Sequence, residues 1–247
     1  MFTNNYSITQ LFFKKELSII IKKEIVIKLT IPSIGHFLDD EELYKFFEII
    51  GWDPTDIKKQ IGIDLDSKFE FIKMIFFALA KYEEFFGFKK LIEKQLKFIF
   101  QDQLRINYAT KEFTINTNFG DVIMTDEIWD YITYVLQLTY GKKVVLPPTF
   151  NTPEERKFYM AQQAAEKRIA ELRKNNKPVD DDFLIKMLLA ITYSFPNLSF
   201  DYLFNQTMAQ IQWLYKYALE SVSYEVNAQA CATGNMKKNK KLEFFIN

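Results

Sequence analysis

Hydrophobic positions along this chain change period several times, and each change marks an element. Near the N-terminus Ile25, Ile27, Leu29 and Ile31 alternate with Val26, Lys28 and Thr30. A period of two belongs to a half-buried strand, so strands are predicted over 17–21 and 24–31, with Lys22-Lys23 as the turn or bulge. Pro32 ends the second strand and Ile34-Gly35-His36-Phe37 reads as a loop. The acids Asp39-Asp40-Glu41-Glu42 then open a short helix to about Ile50, where they complement the helix dipole, and Gly51 stops it. Residues 52–67, with Pro54 and Gly62, read as a short helix plus loop.

Helical spacing takes over in the middle of the chain. Phe69, Ile72, Phe76 and Leu79 follow steps of 3, 4 and 3, and Leu91, Leu96, Ile99 and Phe100 form a second stripe. These predict helices over about 67–86 and 88–104, separated at Gly87. Short alternating runs at 103–108 and 112–116 flank Ala109-Thr110-Lys111 as a hairpin, and Asn118-Phe119-Gly120-Asp121 turns into Val122-Ile123-Met124. Thr125 caps the next helix, whose face is Ile128, Ile132, Val135 and Leu136, with Gly141 as its C-terminal stop.

Pro147-Pro148 and Pro153 cannot continue a helix and mark the main boundary. Three regions follow: an α+β domain over 1–146, a proline-containing linker with a charged helix over 147–182, and a helical domain with a basic tail over 183–247. The linker helix has a thin stripe, Phe158, Ala161, Ala165, Ile169 and Leu172. Asp180-Asp181-Asp182 opens a compact helix with Leu184, Met187, Leu188 and Ile191 inward. Ser199 caps the last helix, whose stripe runs Phe200, Phe204, Met208, Ile211, Tyr215, Ala218 and Val222. Unbroken to Thr233, that helix would extend roughly 50 Å. The fold class expected is therefore mainly α with a small β component, comprising N-terminal strands and a central hairpin.

Composition narrows the chemistry. Thirty-two basic and 32 acidic residues cancel, which argues against a dedicated nucleic-acid binder. A single Cys excludes a disulfide framework, and a single His removes any multi-His metal site. Met1 to Gln10 lacks the basic and apolar regions of a secretory signal. The longest apolar run, Met74 to Ala80, is far short of the roughly 20 residues of a spanning helix. No membrane association is expected. Lys far outnumbers Arg beside abundant Phe, Ile and Asn, a pattern of A/T-rich genomes that accounts for part of the 17% aromatic content.

Catalytic constellations are hard to assemble from these residues. His36 and Cys231 are 195 positions apart with no nucleophile context, and Cys231 sits between alanines on the last helix. The acids at 39–42, 64–66 and 180–182 lack calcium-loop spacing, and Gly141-Lys142-Lys143 lacks the rest of a phosphate-binding loop. No cofactor and no metal are expected. Lys237, Lys238, Lys240 and Lys241 read as a solvated tail. What remains is surface: Tyr202, Gln206, Trp213, Tyr217 and Tyr224 lie mostly off the core stripe of the last helix, and such aromatics are enriched at interfaces. The alternative is that they pack on a second side of the same domain.

Three stretches carry a family resemblance. They are Leu29-Thr30-Ile31-Pro32-Ser33-Ile34-Gly35, then Glu112-Phe113-Thr114-Ile115-Asn116 through Thr125-Asp126-Glu127-Ile128-Trp129, then Phe183-Leu184-Ile185-Lys186 through Ser199-Phe200-Asp201-Tyr202-Leu203-Phe204-Asn205-Gln206. With Pro147-Pro148 and the charged helix after it as the linker, and the long helix closing on Ala228-Gln229-Ala230-Cys231-Ala232-Thr233-Gly234 before a Lys-rich tail, this order resembles tail assembly chaperone-like proteins of phages and prophages of low-GC Gram-positive bacteria. The likeness spans about residues 20–247. It departs at the end, Leu242-Glu243-Phe244-Phe245-Ile246, where family members often carry a Trp.

The resemblance implies a non-enzymatic protein of the host cytoplasm. Its partners would be a tape measure protein, which it coats, and the tail tube protein that displaces it, with self-association left open. The rival expectation is a structural tail or baseplate component retained in the virion. Mass spectrometry of purified particles separates the two.

Overall fold

The computed structural model describes residues 16–21, 25–79, 82–141 and 183–232. The chain is mainly α with two small antiparallel sheets. Strand β1 (Glu16–Ile21) pairs antiparallel with β2 (Ile25–Thr30) in the register Leu17↔Leu29 and Ile19↔Ile27. These four side chains are fully buried while Ser18 and Lys28 face outward, as the period of two requires. The Lys22-Lys23 turn lies outside the described residues.

The segment expected as a loop after Pro32 is a helix instead, α1 (Ile34–Asp39), with Ile34 and Phe37 buried. Ser33 starts it, donating its backbone N–H to His36 Nδ1 at 3.1 Å. The imidazole thus takes the place of the carboxamide or carboxylate that usually reaches back to a helix start. Helix α2 (Glu42–Ile49) follows, so of the four acids only Glu42 lies in a first turn. Asp39 closes α1, and Asp40 is drawn aside by Lys94 and Gln95. Helix α3 (Pro54–Ile61) has an Asp53 cap that accepts from Thr55 and Asp56 backbone N–H, and Gly62 ends it at φ +73°.

Helix α4 (Lys68–Met74) widens into a π turn, Ile75–Leu79, before α5 (Glu83–Phe100) begins with Tyr82 at its N-cap. The break expected at Gly87 therefore falls earlier, and Gly87 sits inside α5 with open space where a Cβ would be. The wide turn lets Phe71, Ile72, Ile75 and Phe76 all point into the core, more than one narrow stripe allows. After a 3₁₀ turn, Gln101–Gln103, the central hairpin gains a third strand: β3 (Leu104–Asn107), β4 (Glu112–Thr117) and β5 (Gly120–Ile123) form a meander. Helix α6 (Asp126–Thr139) is capped by Thr125, whose Oγ accepts from Ile128 N–H at 3.4 Å, and Gly141 follows at φ +82°.

Two aromatic clusters hold these elements. Phe113 of β4 meets Phe69, Phe76 and Phe77 at 5.6, 5.1 and 5.4 Å between ring centroids, and Trp129 stacks on Phe69. Phe37, Tyr44, Phe47 and Tyr140 form the other, with Phe47 stacked on Tyr140 at 4.8 Å. Gln137 of α6 ties the two together. Its Nε2 donates 2.7 Å to the carbonyl of Phe47, one of the C-terminal carbonyls that α2 leaves without an intrahelical partner.

The linker region 147–182, including Pro147-Pro148, the charged helix and the Asp180–Asp182 cluster, lies outside the described residues. Beyond it come α7 (Phe183–Ser194), α8 (Phe200–Phe204) and α9 (Met208–Ala232). The single last helix expected from Ser199 is thus two. Ser199 caps only α8, and α9 has its own capping box: Thr207 Oγ1 accepts from Gln210 N–H, while Gln210 Oε1 accepts from Thr207 N–H at 2.7 Å. The break lets residues 205–207 run beside the start of α1. Ile34 N–H donates 2.7 Å to the Gln206 carbonyl, and Ser33 forms a β-bridge with Thr207. A Cβ on Gly35 would sit 3.3 Å from the Phe204 carbonyl, a tight contact that glycine relieves. One buried cluster runs from Leu17 to Ile211 and includes Met187, Leu188 and Leu203.

Candidate functional site

Helix α9 carries apolar residues on two opposite faces. Its inner face buries Met208, Ile211 and Ala218. On the opposite side Trp213 and Tyr217, four residues apart, are 57% and 43% exposed. Their rings stack at 5.8 Å with planes 5° apart, and Phe195, from the α7–α8 connection, stacks on Tyr217 at 5.6 Å and 13°. The result is a three-ring ladder, anchored on the half-buried Phe195, which packs against the core, and exposed at Tyr217 and Trp213. An aromatic pair of this kind gains about 0.5–1.5 kcal/mol beyond its area burial, so the ladder presents a flat, rigid apolar surface.

The remaining predicted contact residues lie on α8, on the connection after it and further along α9. Tyr202 is on α8 and half exposed. Tyr224 continues the Trp213 and Tyr217 face, three turns beyond Trp213 and about 16 Å along the axis. Gln206 is half-buried, and both its carbonyl and its amide are engaged within the chain, the latter donating 3.0 Å to the Tyr202 carbonyl. The predicted inward stripe holds for Met208, Ile211 and Ala218 but not at its ends. Phe200, on the separate helix α8, is 46% exposed, and Val222 is 42% exposed because the body beneath α9 stops near Ala218.

Phe195 was invisible as a member of this surface, since it lies in a Phe-Pro connection outside every stripe. The outward residues of α7 were missed too. Ile185, Leu189 and Tyr193 recur every four residues and are 52%, 54% and 86% exposed, beside the inward Leu184, Met187, Leu188 and Ile191. The available signal was that α7 is apolar all round, which a helix at a water-facing surface is not.

The candidate chemical groups have structural employment. His36 is exposed, bonded to Ser33 and 4.9 Å from the Phe98 ring. Asp40 and Glu42 both pair with Lys94 at 2.8 Å, and Asp64 pairs with Lys58 at 2.6 Å in solvent. The Asp40 carboxyl feels burial, which raises its pKa, but hydrogen bonds from Lys94 and Gln95 outweigh that and hold it below its usual 3.8. Lys94 is correspondingly raised by its bonds to Asp40 and Glu42. Among the described residues no group of three or more His, Cys, Asp or Glu side chains could hold a metal, and no helix is long and apolar enough to cross a membrane. The basic tail at 236–241 lies outside the described residues.

No protein-family model matches the chain, and neither a curated protein nor a solved structure does so significantly.

Proposed function

We propose that the chain is a protein-binding module that works by covering apolar surface and carries out no covalent chemistry. Within that class, the particular reading is a phage tail assembly chaperone, which binds a tape measure protein until tail tube subunits replace it. The observation that carries the reading is the ladder Phe195–Tyr217–Trp213, whose Tyr217 and Trp213 rings are exposed. Exposed aromatic surface of this extent costs solubility unless a partner uses it. The order of elements along the chain narrows the class to the chaperone, through the resemblance of the segments around Ile34-Gly35, Thr125–Trp129 and Phe183–Gln206.

A coat that must be released favours several modest contacts over one deep pocket, since affinity within one interface is tuned mostly through dissociation. A row of half-exposed rings provides that. Co-expression with a tape measure protein tests the reading. The tape measure chain should become soluble and co-purify, and Trp213→Ala with Tyr217→Ala should lower its capture about tenfold or more. Tape measure solubility unaltered by the wild-type chain would sink the proposal.

A further inference from the structure

On the face of α9 opposite Trp213 lies a second apolar surface that the proposed coat does not use. Trp213 and Val222 are nine residues apart, two and a half turns, which sets them on opposite sides of the helix. The stripe that buries Ile211 and Ala218 continues through Leu219, Val222 and Val226, where exposure rises to 50%, 42% and 59%. Alongside runs α7 with Leu189 and Tyr193. Between the two helices is an open groove of about 900 Å³ whose lining includes the small residues Ala190, Ser194, Ala218 and Ser223. That is room for several side chains.

Tyr193, at 86% the most exposed large apolar side chain among the described residues, stands at the edge of this groove without filling it. A projecting knob beside an unfilled hole, within one patch, is what a two-fold contact requires: each copy offers the knob and receives the other's. We propose that the chain is a homodimer joined through this α7/α9 groove, Tyr193 of each copy entering the groove of the other.

Two further observations select a second copy as occupant. None of the nine residues lining the groove is charged. Near the axis of a two-fold contact like residues meet, where like charges would repel, so an uncharged patch suits a second copy, whereas complementary charges commonly set the register of a foreign partner. Area agrees. A standard interface removes about 800 Å² from each partner, some 65% of it apolar in homodimers. The exposed parts of Leu189, Tyr193, Leu219, Val222 and Val226 amount to on the order of 500 Å², close to that apolar share. The paired helices of two copies would then close into a four-helix arrangement that buries α7 on every side.

Light scattering on the full chain, at micromolar concentration after gel filtration, tests this. The expected mass is twice the 29.4 kDa of one chain. Leu189→Glu and Val226→Glu, both at positions exposed within one copy, should each halve the mass at unchanged helical circular dichroism. Trp213→Ala on the opposite face should leave it doubled, so loss of tape measure capture and loss of the dimer are separable. In the unmodified chain, dilution should also raise amide exchange over 189–194 and 218–226. A wild-type mass of 29.4 kDa overturns the proposal, whether the groove is taken by the chain's own C-terminal segment or by another protein. So does a dimer that persists in both glutamate variants, or an exchange pattern independent of concentration.

Discussion

The carboxamide of Gln95, 2% exposed, donates 2.9 Å to the carboxylate of Asp40, 55 residues earlier in the chain. Asp40 also receives Lys94 at 2.8 Å, so one carboxylate satisfies a buried amide and a surface ammonium together. Asp40→Ala would leave the Gln95 donor buried without its partner, at a cost of about 1–3 kcal/mol. Asp40→Asn keeps an acceptor and should recover part of the loss. Urea unfolding at neutral pH compares the three chains.

The same carboxylate predicts an acid response. Its pKa lies lower in the folded chain than its unfolded value near 3.8, so the unfolded chain takes up that proton first. The stabilisation is fully present above about pH 4 and is lost as pH falls through the folded value. Replacing Asp40 by Asn should flatten the fall in unfolding free energy between neutral pH and pH 3. An equally steep fall in the variant would show that other carboxylates carry it.

At the alkaline end Tyr44 is the sensitive group. Burial, with a smaller contribution from neighbouring Tyr140, pushes its phenol up to about 12. A folded value above the unfolded 10.0 means stability is intact below pH 10 and drains as pH rises towards 12. Tyr44→Phe removes the ionisation and should hold the melting temperature higher across that window than wild type, relative to their difference at neutral pH.

Ser67 serves two helices at once. Its Oγ accepts from Glu70 N–H at 3.0 Å to cap α4 and donates to the Asp126 carboxylate in the first turn of α6. Ser67 is 4% exposed, so water does not readily replace it. Ser67→Ala should cost about 1–2 kcal/mol, read as a lower urea midpoint with unchanged slope.

Gly141 ends α6 at φ +82°, and a Cβ there would collide with the Gln212 carboxamide of α9. Gly141→Ala should cost about 1–2 kcal/mol from the left-handed backbone alone. Because Gln212 is a flexible side chain, pairing Gly141→Ala with Gln212→Ala should relieve only the collision. Full rescue by the second change would show the backbone term to be negligible.

Much of the secondary structure was legible because local signals agreed with packing. The period of two over β2, the Thr125 cap and the Ile128–Leu136 face all describe contacts made within a few residues. The helix at Ile34–Asp39 was not legible, since its N-terminal partner is a histidine and its glycine packs close to Phe204, far along the chain. The split between α8 and α9 had a local sign in Thr207-x-x-Gln210. An apolar stripe running unbroken through it hid that sign, and the reason for the split is the bridge to Ser33. The Trp213 and Tyr217 side of α9 could be named from spacing. Phe195, which completes the ladder, could not, because its place depends on how α7 turns back.

By itself, then, the sequence determined the class of fold and most of the strand and helix faces, since these follow from composition and from periods of two and 3.6. Tertiary structure alone decided where the core stripe of α9 stops being covered. Burial is a relation between distant segments: Ile211 and Val222 belong to one stripe on one helix, yet the first is sealed and the second faces water because the body beneath α9 ends between them.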